Sequence, residues 1–252
     1  MKAAVVRSFD APPRYEDFDL PPLGSDDVVV DVLAAGLHPR VRSGASGKHY
    51  ADERVLPMIP GIDAVGRLPG GKLVYCIVHD TPYGTMAEKV VANRRHCVPL
   101  PDRTDEAILA AAMNPGMSSW IALRLRAPIQ PGQSVFILGA TGNAGRMAIQ
   151  IAKLLGAGRV VGAGREIGRL ESSGADEVVS LVGEPDAVGE VIAKAASECD
   201  IPLCQRSCRR DELSPDRKDH ASNRRARPDS GLAHVYPASL AIAPRAIEAP
   251  RF

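Results

Sequence analysis

The stretch from residue 134 to residue 164 limits what this chain can fold into more than any other part of it. "SVFILGA" is an apolar run of strand length, and "GATGNAG" brings Gly139, Gly142 and Gly145 directly after it. Ala144, Met147, Ala148, Ile151, Leu154 and Leu155 then recur at helical spacing, Gly156 closes that helix, and "RVVGAG" reads as a second strand. A short helix over 166–173, a third strand "EVVSL" and a helix over 185–198 continue the alternation. Strand and helix in turn imply a parallel, right-handed, doubly wound sheet.

Each glycine has its own physical reason. One permits the tight turn, one lets backbone amides approach a diphosphate with no Cβ in the way, and one lets the helix pack on the strand. The candidate cofactor contacts are Gly139, Ala140, Thr141, Gly142, Asn143, Ala144 and Gly145, with the free N–H groups and partial positive charge of the helix N-terminus behind them. A glycine triplet alone is weak evidence, and its place between a strand and an amphipathic helix is what makes it specific. The second strand ends "GAGRE", so Gly164 and Arg165 stand where an acid would hold the ribose 2′-hydroxyl of NAD. An arginine there favours a 2′-phosphate, hence NADPH, with Arg169 as a second contact or simply a solvated side chain. Glu166 competes with this reading if the strand runs one residue further.

Upstream, "KAAVVRSF", "DVVVDVLAAG", "DAVGRL", "KLVYCIV", "MAEKVVA" and "CVPL" are short β-rich runs cut by Pro and Gly, which suggests a small antiparallel barrel or sandwich up to about Ser118. "GRLPGGK" has phosphate-loop spacing, but Leu73 stands where a Ser or Thr is needed and a strand follows, so it reads as a turn. None of Tyr15, Tyr50, Tyr75, Tyr83 or Tyr236 has a Lys four places on, which removes the Tyr–Lys pair of short-chain reductases.

The 252 residues carry a formal charge of +1, which gives no reason to expect a nucleic-acid or anionic-membrane partner. No stretch approaches the ~18 apolar residues of a membrane span, and five irregularly spaced cysteines make no disulfide framework, so a cytoplasmic protein is expected. Composition breaks near residue 202. Residues 201–252 hold one of the 23 glycines, and between Leu203 and Gly231 the only large aliphatics are Leu203 and Leu213. That stretch buries too little apolar area to offset its ordering entropy, and 202–252 is expected to be disordered or poorly packed. Cys199, Cys204 and Cys208 lack paired spacing for a metal.

Taken together, "AAGLHPRVRSG", "LPMIPGIDAVGRL", "YGTMAEKVV", "NPGMSSWIALR", the segment from "PGQSVFILGATGNAG" to "GRVVGAGR", and "GADEVVSL" resemble, in family order, the zinc-independent quinone oxidoreductase branch of the medium-chain dehydrogenase/reductase superfamily. The resemblance spans residues 1 to about 200. It implies a GroES-like β-barrel catalytic domain over 1–117, the first half of a Rossmann domain binding NADPH over 118–201, and an atypical tail over 202–252. Zinc-dependent relatives place a Cys where this chain has His38, and a Gly-His-Glu triplet where it has Gly61, Ile62 and Asp63. Isoleucine cannot ligate, and Cys76 and Cys97 stand alone, so no metal is expected.

Without a Lewis acid, ordinary ketones are poor acceptors, whereas a quinone or enone takes hydride while its charge spreads to a distant oxygen. The resemblance places Tyr50 and His38 near that oxygen as hydrogen-bond or proton donors, and Ser118 against the cofactor, with a helix N-cap as the plain alternative for Ser118. Trp120 reads as core. The resemblance also predicts a fourth strand beside the first, starting at Asp200 and Ile201, which Pro202 should interrupt. An out-of-frame replacement of the ending would account for the change. The function implied is NADPH-dependent reduction of a quinone or enone; the alternative is a truncated nucleotide-binding fragment with little or no turnover. Relatives dimerise through an edge strand that this chain does not display, so a homodimer is not carried over.

Overall fold

The upstream β-rich runs pair antiparallel. β1 (Lys2–Val5) and β2 (Arg14–Asp17) form a ribbon, while β3 (Asp27–Ala35), β4 (Asp63–Arg67), β5 (Leu73–Ile77), β6 (Lys89–Asn93) and β7 (Cys97–Pro99) form a sheet in the order β6-β3-β4-β5-β7. Bridges Ala3↔Ala87 and Val6↔Met58 tie the ribbon to the chain flanking β6 and β4. The structure is a computed structural model and describes residues 1–48 and 55–205. Tyr50 lies outside them, as do residues 206–252 with Cys208, so the expected disorder of the tail falls there too, apart from residues 202–205.

One face of this sheet buries Val28, Val30, Ala64, Val74, Cys76, Val90 and Ala92. Burial pushes the Cys76 thiol up to about 12, leaving it neutral and unreactive. β4 and β5 are buried on both faces, because Val65, Leu73 and Tyr75 pack against a helix, α2 (Glu106–Ile121), at Leu109 and Ala110. "GRLPGGK" is the β4–β5 hairpin turn, with Gly70 and Gly71 at φ +96° and +88°.

α2 crosses the place near Ser118 where the sequence pattern changes, and it continues through Pro115 and Gly116. Asp105 starts it: the side chain accepts from the Ile108 amide at 2.9 Å, and a π-helical turn, Ala122–Arg126, ends it. Ser118 therefore lies inside a helix, which removes its N-cap reading, and the expected domain division at 117/118 falls within α2. Trp120 is also not core: it is 43% exposed, with the Arg124 guanidinium 5.6 Å from the ring centroid.

Downstream, the alternation appears as read. β8 (Ser134–Leu138), α3 (Asn143–Leu154), β9 (Arg159–Gly164), α4 (Ile167–Glu171), β10 (Glu177–Ser180), α5 (Pro185–Ser197) and β11 (Ile201–Cys204) build a parallel sheet in the order β10-β9-β8-β11. A GroES-like antiparallel unit thus precedes the first strands of a Rossmann sheet. α3 buries Ala148, Ile149, Ile151 and Ala152 against β8 and β9, whereas Leu154, expected in the core, is 76% exposed. Burying each of the two isoleucines contributes about 2 kcal/mol.

Pro202 does not interrupt β11. Gln205 donates its amide to the Leu138 carbonyl at 2.9 Å, so along this strand the amides of Ile201 and Leu203 face β8 and position 202 faces the open edge, where a missing N–H costs no ladder bond. Among the described residues no helix is long and apolar enough to cross a membrane, and Cys76, Cys97, Cys199 and Cys204 are free thiols.

Three carboxyls pin this sheet. Asp176 accepts from Lys153 Nζ at 2.7 Å and from the Val160 amide at 2.7 Å; Glu177 is paired with Arg159; Asp200 accepts from the Ser134 amide and hydroxyl. Those donors, Lys153, Arg159 and the Ser134 amide foremost, hold all three below the usual carboxylate range. Depressed native values mean the stabilisation is full above the unfolded value, 3.8 for Asp176, and is lost as pH falls through the lower native one. Acid unfolding followed by circular dichroism should therefore steepen below about pH 4, and Asp176→Asn should flatten that limb while lowering stability at neutral pH.

Candidate functional site

The glycine turn sits where β8 ends and α3 begins, beside the point at which strand order reverses from β9 on one side of β8 to β11 on the other, the usual crevice for a ligand in such sheets. Gly139 has φ +84°, and the amides of Gly139 and Ala140 both donate to the Ala163 carbonyl, at 3.0 and 2.9 Å. A Cβ on Gly145 would lie 2.3 Å from the Gly139 carbonyl oxygen and 2.5 Å from Ala140 Cα, so this glycine is what lets α3 rest on the turn. Gly142 is different. It caps α3 at φ −73°, and a Cβ there would meet only the Gly139 oxygen at 3.6 Å. Packing does not demand a glycine at 142.

α3 has no capping side chain and no acid in its first turn. The Arg146 amide is taken by the Gly142 carbonyl, while the amides of Asn143, Ala144 and Gly145 precede the first possible intrahelical acceptor. This is a cradle of donors with a partial positive charge behind it, suited to a diphosphate. Ala140 is fully buried, so its side chain serves the core. Thr141 packs over the end of β9: a Cβ on Gly164 would lie 2.7 Å from Thr141 Cγ2. Arg165 follows β9 directly and is exposed, whereas Arg169 pairs with Glu166 at 2.9 Å, which engages the one acid that competed with the 2′-phosphate reading.

α2 connects this turn to the antiparallel sheet. Pro115 has no amide to give the Ala111 carbonyl one turn back, and Asn143 Nδ2 donates to that carbonyl at 3.3 Å. Gly116 lets Met147 and Ile151 of α3 come close. One turn on, Ser118 Oγ donates to Gln205 Oε1 at 3.0 Å, and Gln205 Nε2 donates to the buried Ser119 Oγ at 3.4 Å. Ser118 and the end of β11 thus meet beside Leu138 and the glycine turn. Gln205 was missed because the surrounding composition looked atypical.

On its other side, α2 covers a buried polar cluster. His38 precedes the short helix α1 (Pro39–Ala45), and its Nε2 lies 3.2 Å from Asp63 Oδ1; the Tyr75 hydroxyl donates to Asp63 Oδ2 at 2.8 Å. Exposure is 7% for His38, 1% for Asp63 and 5% for Tyr75. The Asp63 main-chain carbonyl also accepts from Thr85 Oγ1 and the Gly36 amide, both at 3.0 Å. A Cβ on Gly36 would strike Asp63 Oδ1 at 2.7 Å and the Ala110 carbonyl at 3.1 Å, so Gly36 keeps the carboxylate against α2. Burial first, and the Asp63 charge second, push the Tyr75 phenol well above its ordinary value, leaving a neutral donor. The Ala110 carbonyl lies beside this cluster at Gly36, and the Ala111 carbonyl accepts from Asn143, so consecutive residues of α2 touch both places. Sequence reading singled out His38 but not Asp63 or Tyr75 as its partners.

A separate cavity of about 210 Å³ lies between Val41, Gly44 and Ala45 of α1 and the segments Met58–Ile62 and Val78–Pro82; none of Gly139–Gly145 lines it. Among the described residues no group of three or more His, Cys, Asp or Glu is arranged to hold a metal ion.

No family model matches the sequence. Individual proteins do. A probable NADPH-dependent quinone reductase of Emericella nidulans is 33% identical over 194 residues, covering 64% of this chain and 54% of that protein. An NAD-dependent alcohol dehydrogenase of Sulfolobus acidocaldarius is 29% identical over 228 residues, 74% of this chain and 66% of that one. The crystal structure of the quinone oxidoreductase from Thermus thermophilus, also solved with NADPH, superposes with a TM-score of 0.70 at 28% identity over 84% of this chain and 69% of that chain. The chain spans about half the length of the curated relatives it matches. Sheet order, glycine turn and these similarities agree: the chain is similar in sequence and fold to quinone oxidoreductases and alcohol dehydrogenases.

Proposed function

We propose that this chain is an NADPH-dependent reductase of quinones or other conjugated enones that works without zinc. The observation that carries the reading is the donor cradle at Gly142 and the N-terminus of α3, with an exposed arginine at the end of β9. Backbone amides of Asn143, Ala144 and Gly145 hold the diphosphate beside Gly142, whose own amide donates to the Gly139 carbonyl, Arg165 takes the 2′-phosphate, and Ser118 contacts the cofactor at the β8–β11 crevice. Arg169 adds its charge once it gives up Glu166. A reduced nicotinamide dinucleotide bound there supplies hydride. The acceptor's carbonyl oxygen then gains negative charge, and His38 and Tyr50 are the groups assigned to donate to it.

Zinc independence rests on the donor set. His38 stands where zinc-dependent relatives use a Cys, its Nε2 is engaged by Asp63, and the neighbouring Ile62 cannot ligate. The division into a catalytic part over 1–117 and a nucleotide part over 118–201, and a cytoplasmic setting for the free thiols, belong to the same proposal.

Fluorescence titration should show NADPH bound at least about tenfold more tightly than NADH, and Arg165→Ala should erase most of that difference, one charge-assisted hydrogen-bond set being worth about 1.5–3 kcal/mol. Equal affinities in the parent chain would remove the NADPH assignment. NADPH oxidation with a simple benzoquinone tests the reaction, and binding without oxidation would leave a nucleotide-binding chain in place of a reductase.

A further inference from the structure

The His38–Asp63–Tyr75 cluster is built more elaborately than a packing role requires. Three polar side chains come from three separate segments: the β3–α1 connection, β4 and β5. A carboxylate 1% exposed costs several kcal/mol to bury and is tolerated only when its oxygens are satisfied. Here each Asp63 oxygen has its own partner, and the main-chain carbonyl of the same residue is held by Thr85 and Gly36. Since Tyr75 donates to Oδ2, the carboxylate is an acceptor on both sides and the shared hydrogen on the Oδ1 side belongs to His38 Nε2. The network uses Nε2 and leaves Nδ1 outside it.

We infer that Asp63 and Tyr75 are positioning residues that lock the Nε2 proton of His38, so that Nδ1 is the nitrogen from which the ring delivers a proton to the reduced acceptor. This rests on the reductase reading given above. The acceptor's C=C accepts the hydride at carbon, its π electrons move to the carbonyl oxygen, and the oxygen takes the proton from Nδ1. The proton leaves a ring that carries hydrogen on both nitrogens, the Nδ1–H electron pair stays on the ring, the Nε2–H tautomer remains, and water returns a proton to Nδ1. The carboxylate's contribution is to prevent the ring from turning over and presenting the wrong nitrogen.

The test uses the full chain. In ¹⁵N spectra of imidazole-labelled protein, with the His38 resonances assigned by their loss in His38→Asn, the parent should keep Nε2 protonated and exchange its proton at Nδ1 alone, and Asp63→Asn should show mixed tautomers. Turnover of NADPH with a benzoquinone should fall about 10- to 100-fold in Asp63→Asn with NADPH affinity unchanged. The same substitution should cost nothing more in a His38→Asn background. Tyr75→Phe, which removes only the hydroxyl, should lose about 3- to 10-fold with the same dependence on His38, and decides the matter if Asp63→Asn does not fold. Losses that multiply in the double variants, or turnover unchanged in the single ones, would make the cluster a structural staple and overturn the inference. A parent that binds NADPH but oxidises none of it removes the reductase reading and the proton delivery with it, while the ring spectra still decide the lock: a His38 ring without tautomer preference ends that part as well.

Discussion

Gly145→Ala should lower the melting temperature by roughly 5 to 10 °C and abolish measurable NADPH binding. Helix propensity alone argues the other way, because alanine inside α3 gains about 1 kcal/mol over glycine. The gain is outweighed. The new Cβ would sit 2.3 Å from the Gly139 oxygen and 2.5 Å from Ala140 Cα, and both are main-chain atoms of a turn already bound to Ala163. Neither yields as a flexible side chain would, so α3 must lift off β8, at a net cost of about 2–4 kcal/mol. Gly142→Ala is the matched control. Its Cβ has room and its φ suits any residue, so stability should change by less than about 1 kcal/mol, yet the methyl would stand in the cradle and weaken NADPH at least about tenfold. Differential scanning fluorimetry and fluorescence titration on both variants separate the two effects. A Gly145→Ala chain as stable as its parent would mean that the turn and α3 do not meet as described.

Asp63→Ala should cost about 3–5 kcal/mol of stability, read as a shift of the urea midpoint at constant m-value. The substitution removes the acceptor that, among the described residues, serves both the Tyr75 hydroxyl and His38 Nε2, each residue buried beyond nine-tenths, and each orphaned donor costs about 1–3 kcal/mol. Asp63→Asn keeps the shape and an oxygen for one partner, so it should cost about 1 kcal/mol and remain usable for kinetics. A loss below about 1 kcal/mol in Asp63→Ala would show water reaching the cluster.

The nucleotide half was legible almost residue by residue. β9 ends at Gly164, as "RVVGAG" implied, and Gly156 closes α3 with φ +93°. Both follow from rules acting within a few residues: apolar periodicity, and a glycine where the left-handed region is needed. The misreadings share a cause. The division placed at 117/118 falls inside α2 because what carries that helix through Pro115 is a donor, Asn143, 32 positions away in sequence from the carbonyl it serves. Pro202 looked like a broken strand because its harmlessness depends on which side of β11 has a neighbour. Leu154 and Trp120 looked like core because their residue types are apolar, while the surfaces that would cover them are set by other elements. Of the named site residues, the glycine turn, Gly164, Arg165 and Ser118 gather at one crevice, His38 lies across α2 from them, and Tyr50 is outside the described residues.

The amino-acid order alone determined the alternating strands and helices, the glycine turn and the identity of the residue after β9, because each is fixed by neighbours in the chain. Only the folded molecule decided that α2 runs unbroken through Pro115, that Gln205 reaches Ser118, and that His38, Asp63 and Tyr75 share one buried cluster. Those depend on which surfaces a sheet brings together, and local pattern carries no record of a partner that is distant in sequence.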